Sequence, residues 1–178
     1  AAVIPETLSL TQQGMELQWT VNYLSAVVMT QQLLPALKDS RGRIVHISST
    51  AHHSVHGRMG ALHFEDIHFT NRTYDKWTAY AQSKLALTIH ARQIARVYPK
   101  ALSVSVHPGW VATTIAPSRI PSWLHKISTP LLKRKGLCTE WEGIQPMLAA
   151  LLLPKEDIHS GEMLCQVGLY DGVPFNHQ

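Results

Sequence analysis

Two short apolar runs, each preceded by a long helical pattern and each closed by small or polar residues, most constrain what this chain can fold into. Arg43-Ile-Val-His-Ile-Ser-Ser49 is rich in β-branched residues and runs out into serines, which reads as a buried strand. Ala101-Leu-Ser-Val-Ser-Val-His107 alternates cleanly and is stopped by Pro108-Gly109, so it reads as a second strand. Before the first, Met15, Leu17, Val21, Leu24, Val28 and Leu33 recur at helical spacing from about Gln12 to Leu37, with Pro35 as a late kink or stop. Before the second, Asp75 is a good N-cap for a helix to about Tyr98, with Trp77, Leu85, Leu87, Ile94 and Val97 as expected core contacts. Glu140 to Leu153 reads as a third helix despite Pro146, and Glu162 to Val167 as a third strand after Ser160-Gly161. Residues 52–73 show no sustained period and read as a long loop, while 110–139 form a Pro-interrupted, basic excursion.

Helix and strand in alternation mean parallel strands joined by right-handed crossovers. The expected architecture is α/β, an open, doubly wound parallel sheet. In such sheets ligands bind beyond the carboxyl ends of the strands. Ser48-Ser49 and His107-Pro108-Gly109 both fall on that edge.

The rest of the chain narrows the function classes. Its 178 residues suit one domain or part of a larger one, and 45% apolar with 16% charged residues excludes a disordered or collagen-like chain. Cys138 and Cys165 are too few for a disulfide framework and lack C-x-x-C spacing. The longest apolar run, Met147 to Leu153, is too short to span a bilayer. The net charge of +4 is local: Arg119, Lys126, Lys133, Arg134 and Lys135 lie in one acid-free patch, which argues against a nucleic-acid partner. Histidines crowd between His46 and His68 without H-E-x-x-H or similar ligand spacing, so no metal site is expected. Nor does a G-x-S-x-G elbow surround Ser49, against a hydrolase. The sequence opens at Ala1-Ala2-Val3 with neither Met nor secretory leader, so Asn71-Arg-Thr73 reads as an incidental sequon.

The chemistry gathers at Tyr80-Ala-Gln-Ser-Lys84. A spacing of four puts Tyr80 and Lys84 on one helical face. A phenol with pKa about 10 is a poor base at neutral pH. An ammonium about 4 Å away would favour the phenolate by about 4 kcal/mol at an effective dielectric of 20, or about three pKa units. Tyr80 could then pass a proton to or from an alcohol oxygen while Ser49 hydrogen-bonds the same oxygen.

These residues together resemble the catalytic half of the short-chain dehydrogenase/reductase family, closest to its retinol-dehydrogenase-like branch. Arg43-Ile-Val-His-Ile-Ser-Ser49 is similar to the family's Ser-bearing strand, and Tyr80-x-x-x-Lys84 to its Tyr/Lys pair. Val21-Asn22 matches the segment whose Asn helps hold a water beside the Lys, and Pro108-Gly-Trp-Val-Ala-Thr113 matches Pro-Gly-x-Val-x-Thr. Ala1-Ala2-Val3 resembles the tail of an Asn-Asn-Ala-Gly segment, with Ala2 where Gly is usual. The resemblance implies hydride transfer between a nicotinamide and a carbonyl or alcohol carbon. Catalytic roles would fall to Asn22, Ser49, Tyr80 and Lys84, and cofactor contacts to Tyr80, Lys84, Pro108, Gly109, Val111 and Thr113.

The resemblance also implies NADP or NAD as cofactor, NADP being favoured. The Gly-rich phosphate loop and the residue that selects between the two do not occur in the sequence, so the chain reads as a fragment or truncated form. The long Ser49-to-Tyr80 spacing suits the retinol-dehydrogenase-like branch. In the family the stretch after Pro-Gly-x-Val-x-Thr covers the substrate, so residues 110–139 are expected to be a lid. Its apolar anchors imply a lipophilic carbonyl or alcohol substrate, and residues 119–136 could touch a membrane surface. A homodimer and a cytoplasmic location, or one at the cytosolic face of a membrane, are expected on the same grounds. The alternative is a non-catalytic fragment acting as a binding or regulatory partner.

Overall fold

A computed structural model describes residues 2–37, 42–111 and 137–165. Three parallel strands form the central sheet: β1 (Arg43–Ile47), β4 (Leu102–His107) and β7 (Met163–Cys165), in the order β1-β4-β7. Arg43 is level with Leu102 and Ile47 with Val106, while Ser105 to His107 align with Met163 to Cys165. Every residue of β4 is buried, as the middle strand of a parallel sheet requires.

Alternate residues of β4 serve two layers. Val104 and Val106 pack with Ala150 and Met147 of helix α3 (Glu140–Leu152). Ser103 faces helix α2 (Lys76–Val97), its hydroxyl donating to the Ala91 carbonyl at 2.9 Å. Small residues at Ser103, Ala86 and Ala91 let this helix lie close to the sheet. Helix α1 (Ser25–Leu37) joins α2 over β1, with Leu34, Ile44 and Ile94 buried together. Helices on both faces of a parallel sheet make the doubly wound arrangement expected from the alternation.

Caps fix where the helices start. Asp75 accepts from the Thr78 amide at 2.8 Å to open α2. Thr139 and Glu142 form a reciprocal capping box on α3. The first helix departs from the expected start at Gln12. Gly14 turns the chain at φ +77° and the Glu16 carboxylate caps the amides of Gln18 (2.9 Å) and Trp19 (2.6 Å). The helical path therefore begins beyond Glu16, through a π-helical stretch Trp19–Leu24 that runs into α1.

Other expectations need correction. The strands are shorter than the apolar runs, ending at Ile47 and beginning at Leu102. The loop 52–73 contains a hairpin, β2 (Ser54–Val55) with β3 (Arg58–Met59), turned by His56 and Gly57 at φ +47° and +77°. Paired positive φ values are what a tight hairpin turn needs. The 110–139 stretch carries a parallel pair at its ends, β5 (Trp110–Val111) with β6 (Leu137–Cys138). Residues 112–136, including Thr113 and 119–136, lie outside the described residues.

Several periodic apolar residues are not core. Leu87 and Ile94 are buried, but Val97, Val21, Val28 and Leu33 are exposed. Among the described residues β1 pairs on one side only. Along its other edge runs a groove of about 410 Å³ between β1 and α1, lined by Val21, Met29, Leu33, Ile44, His46 and Lys84. The periodicity of the first helix points partly into this groove, so its apolar residues are not covered as a closed core would cover them.

Candidate active site

The carboxyl end of β1 is bolted to α2. Past Ile47, the Ser48 amide donates to the Val106 carbonyl at 2.8 Å, continuing the sheet by one bond. The Ser48 hydroxyl donates to the Lys84 carbonyl at 2.9 Å and lies 2.8 Å from the Thr88 hydroxyl, with all three residues buried. Strand end and helix turn are thereby held in fixed register. Ser49 follows, 9% exposed, and its hydroxyl accepts from the Ala51 amide at 3.2 Å to cap a 3-10 turn, Thr50–His52.

Tyr80 stands in the second turn of α2, one turn before Lys84, and packs beside the buried cluster of Ala51, Val55 and Ala81. Burial pushes its phenol pKa up, and hydrogen bonding with the Ser49 side chain pulls it back in part. Lys84 is 3% exposed. Its ammonium donates to the Ile47 carbonyl at 2.8 Å and sits 5.5 Å from the centre of the Tyr80 ring. Burial brings its pKa down to about 8. The expected lysine-driven depression of the phenol does not describe this arrangement. Burial, opposed in part by Ser49, leaves the phenol pKa raised, and the ammonium is anchored to the strand end.

Asn22 lines the same groove as Lys84. Its side chain grips the backbone of Val3, accepting from the amide at 2.9 Å and donating to the carbonyl at 3.1 Å, with the Ser83 hydroxyl at 3.5 Å. Pro108 and Gly109 leave the carboxyl end of β4, Gly109 at φ +85°, and Val111 lies in β5. The structure thus brings Asn22, Ser49, Tyr80 and Lys84 around one end of β1, with Pro108 to Val111 beyond the adjacent strand.

No family model matches the chain. Retinol dehydrogenase 12 of Bos taurus is 33% identical over 148 residues, covering 81% of this chain and 43% of the relative. Retinol dehydrogenase 11 of Homo sapiens is 32% identical over 165 residues, 90% of this chain and 48% of the relative. The fold is similar to that of an NADPH-bound carbonyl reductase from chicken fatty liver (TM-score 0.61, 24% identity), covering 94% of this chain and 61% of that one. The chain thus resembles retinol dehydrogenases in sequence and a carbonyl reductase in fold, both of the short-chain dehydrogenase/reductase kind. It spans less than half the length of the two curated relatives.

Further residues hold the site through contacts that the sequence does not assign. His52 Nδ1 is 2.6 Å from the Ser49 carbonyl, which can only accept, so that nitrogen carries the proton. His107 Nε2 is 3.3 Å from the Thr50 hydroxyl, and burial brings the His107 pKa down to about 4. Ser48 lies on the expected edge, but its partner Thr88 carries no sequence signal beyond the Ser-Ser pair, which marks one hydroxyl as facing the helix layer. Gly143 of α3 touches the other wall: a Cβ there would strike the Val111 side chain and lie 3.2 Å from the Pro108 carbonyl. A glycine in the first turn of a helix is the signal for such close approach.

Proposed function

We propose that this chain carries the acid/base machinery of an NAD(P)-dependent oxidoreductase acting on a carbonyl or alcohol substrate. The observation that carries the reading is the gathering of Tyr80, Ser49 and Lys84 at the carboxyl end of β1. The residues present fit the nicotinamide-ribose end of the cofactor. The Lys84 ammonium has three donors and spends one on Ile47, so two N–H groups remain for ribose hydroxyls. Asn22 steadies the segment around Val3 beside it. Pro108, Gly109 and Val111 present backbone next to the same edge, and Thr113 completes that set in the reading. No Gly-x-x-x-Gly-x-Gly sequence occurs in the chain to cradle the phosphates.

The nicotinamide, when bound, supplies or takes the hydride. Everything else falls to side chains. Tyr80, kept protonated by burial, donates its hydroxyl proton to the substrate oxygen in reduction and takes it back in oxidation. Ser49 hydrogen-bonds the same oxygen as charge develops on it, a contribution that counts for more in a buried site than in water. Lys84 holds the ribose and places positive charge beside the proton path. The lipophilic substrate, the lid over residues 110–139, a homodimer and a membrane-facing patch at 119–136 belong to the same reading.

Replacement of Tyr80 by Phe removes the transferable proton and is expected to lower turnover about 10²-fold or more, measured by nicotinamide absorbance with a ketone panel. Unchanged turnover would defeat the assignment. A second reading, a non-catalytic chain that binds a partner, draws on the edge of β1 that is unpaired among the described residues and on its groove. Titration of the 178-residue chain with NADPH and NADH separates the two: tight binding rejects the second reading.

A further inference from the structure

A run of aromatic rings beside Tyr80 has no part in the chemistry above. Trp77 lies one helical turn before Tyr80 on α2, with ring centres 6.4 Å apart and planes at 86°. The β2–β3 hairpin brings the His56 ring against Trp77, centres 4.4 Å apart and planes inclined by 42°. Trp110, which opens β5 two residues past Pro108, stands 6.2 Å from His56 with its plane at 83°. Three elements distant in sequence thus place their rings in one continuous array at the carboxyl edge of the sheet.

The array is built, not incidental. His56 occupies a left-handed backbone conformation at φ +47°, uncommon for a residue with a side chain. The hairpin that imposes this conformation is fastened to α2: Arg58 Nε donates to Asp75 Oδ1 at 2.9 Å and Arg58 Nη1 donates to the His56 carbonyl at 2.8 Å. The position of the His56 ring is therefore tied to the N-cap of the helix that carries Tyr80. Trp77 also packs on the buried cluster under Tyr80, which gives the array a fixed floor. Its outer members reach solvent: His56 is exposed and Trp110 is 49% exposed.

Two rings near a right angle form a corner. A flat π system laid on either ring meets the other edge-on, and both contacts are favourable aromatic geometries. A puckered saturated ring system of equal bulk gains contact area but neither of these. We infer that His56, Trp77 and Trp110 form a stacking subsite beside Tyr80 that takes the flat body of an aromatic ketone, aldehyde or alcohol. The inference deepens the oxidoreductase reading of this site and rests on it for the choice of carbonyl and alcohol ligands.

The test is calorimetric titration of the full chain with 2-acetylnaphthalene and with its ring-saturated counterpart 2-acetyldecalin. The aromatic ketone is expected to bind about 10-fold more tightly. Trp110→Leu keeps apolar bulk, and His56→Asn keeps a side chain that tolerates the left-handed turn. Each should weaken the aromatic ketone about 3-fold or more and leave the saturated one unchanged. Should Trp110→Leu fail to give the parent circular dichroism spectrum, His56→Asn on the exposed hairpin carries the comparison. Equal affinities for the two ketones, no measurable binding of 2-acetylnaphthalene, or a preference unaltered in the folded variants would overturn the inference. Tyr80→Phe is expected to keep the aromatic preference in binding, so its turnover judges the acid/base reading separately. A kept preference with undiminished turnover would sink that reading and leave the subsite standing.

Discussion

Burial acts in opposite senses on the two ionisable groups of the Tyr80–Lys84 pair. It raises the pKa of the phenol, which keeps a proton on Tyr80, and lowers that of the ammonium to about 8, which makes the positive charge titratable near neutrality. If Lys84 holds the ribose as an ammonium, NADPH affinity should stay level below pH 7 and fall as pH rises through about 8. Lys84→Arg, charged throughout that range, should remove the fall even where it weakens binding overall. A wild-type affinity flat from pH 6 to 9.5 would contradict the role. The four-residue spacing makes this pair legible in sequence. It does not reveal that the strand-end carbonyl of Ile47 captures the ammonium, because that contact depends on how β1 and α2 meet, which no local pattern encodes.

Elements with strong local signals are legible in the sequence. Asp75 and Thr139 open α2 and α3 where an N-cap should, and β1 and β4 sit inside the two apolar runs. The hairpin within 52–73 leaves no sequence signal because each of its strands has only two residues, too few for any alternation to register. The first helix starts later than its periodicity suggests, because the apolar pattern continues upstream through Met15 while Gly14 and the Glu16 carboxylate end the helix physically. Two substitutions test what the caps and contacts contribute. Asp75→Ala removes the cap of α2 and the anchor of Arg58, and should cost about 1 kcal/mol, read as a lower Tm. Gly143→Ala gains helix propensity but drives a methyl into Val111 and toward the Pro108 carbonyl, with an expected net loss of about 1–2 kcal/mol. Val111→Ala in that background should restore part of the loss, and no recovery would point away from the clash.

At the scale of the whole molecule, the sheet buries imidazoles without charge. His46, 5% exposed and 5.1 Å from the ring of His90, and His107, 3% exposed, both have pKa values brought down to about 4 by burial. The unfolded chain takes up these protons near pH 6.5, the folded one only near pH 4. Stability from these groups is therefore complete above about pH 6.5, declines as pH falls from there to about 4, and levels off below. Each histidine should account for about 2 kcal/mol between pH 6.5 and 5. Urea unfolding at those two pH values measures the decline, and His46→Leu should lessen it by its share. Among the described residues no helix is long and apolar enough to cross a membrane. One further property follows from the bolt between Ser48, Thr88 and the Lys84 carbonyl. Because that junction fixes the register between the end of β1 and α2, the exposed turn of the hairpin and its rings can be recut by mutation while Ser49 and Tyr80, the proposed proton donor, keep their spacing. Under the proposed function, such a scaffold is free to change its choice of molecule without relearning its reaction.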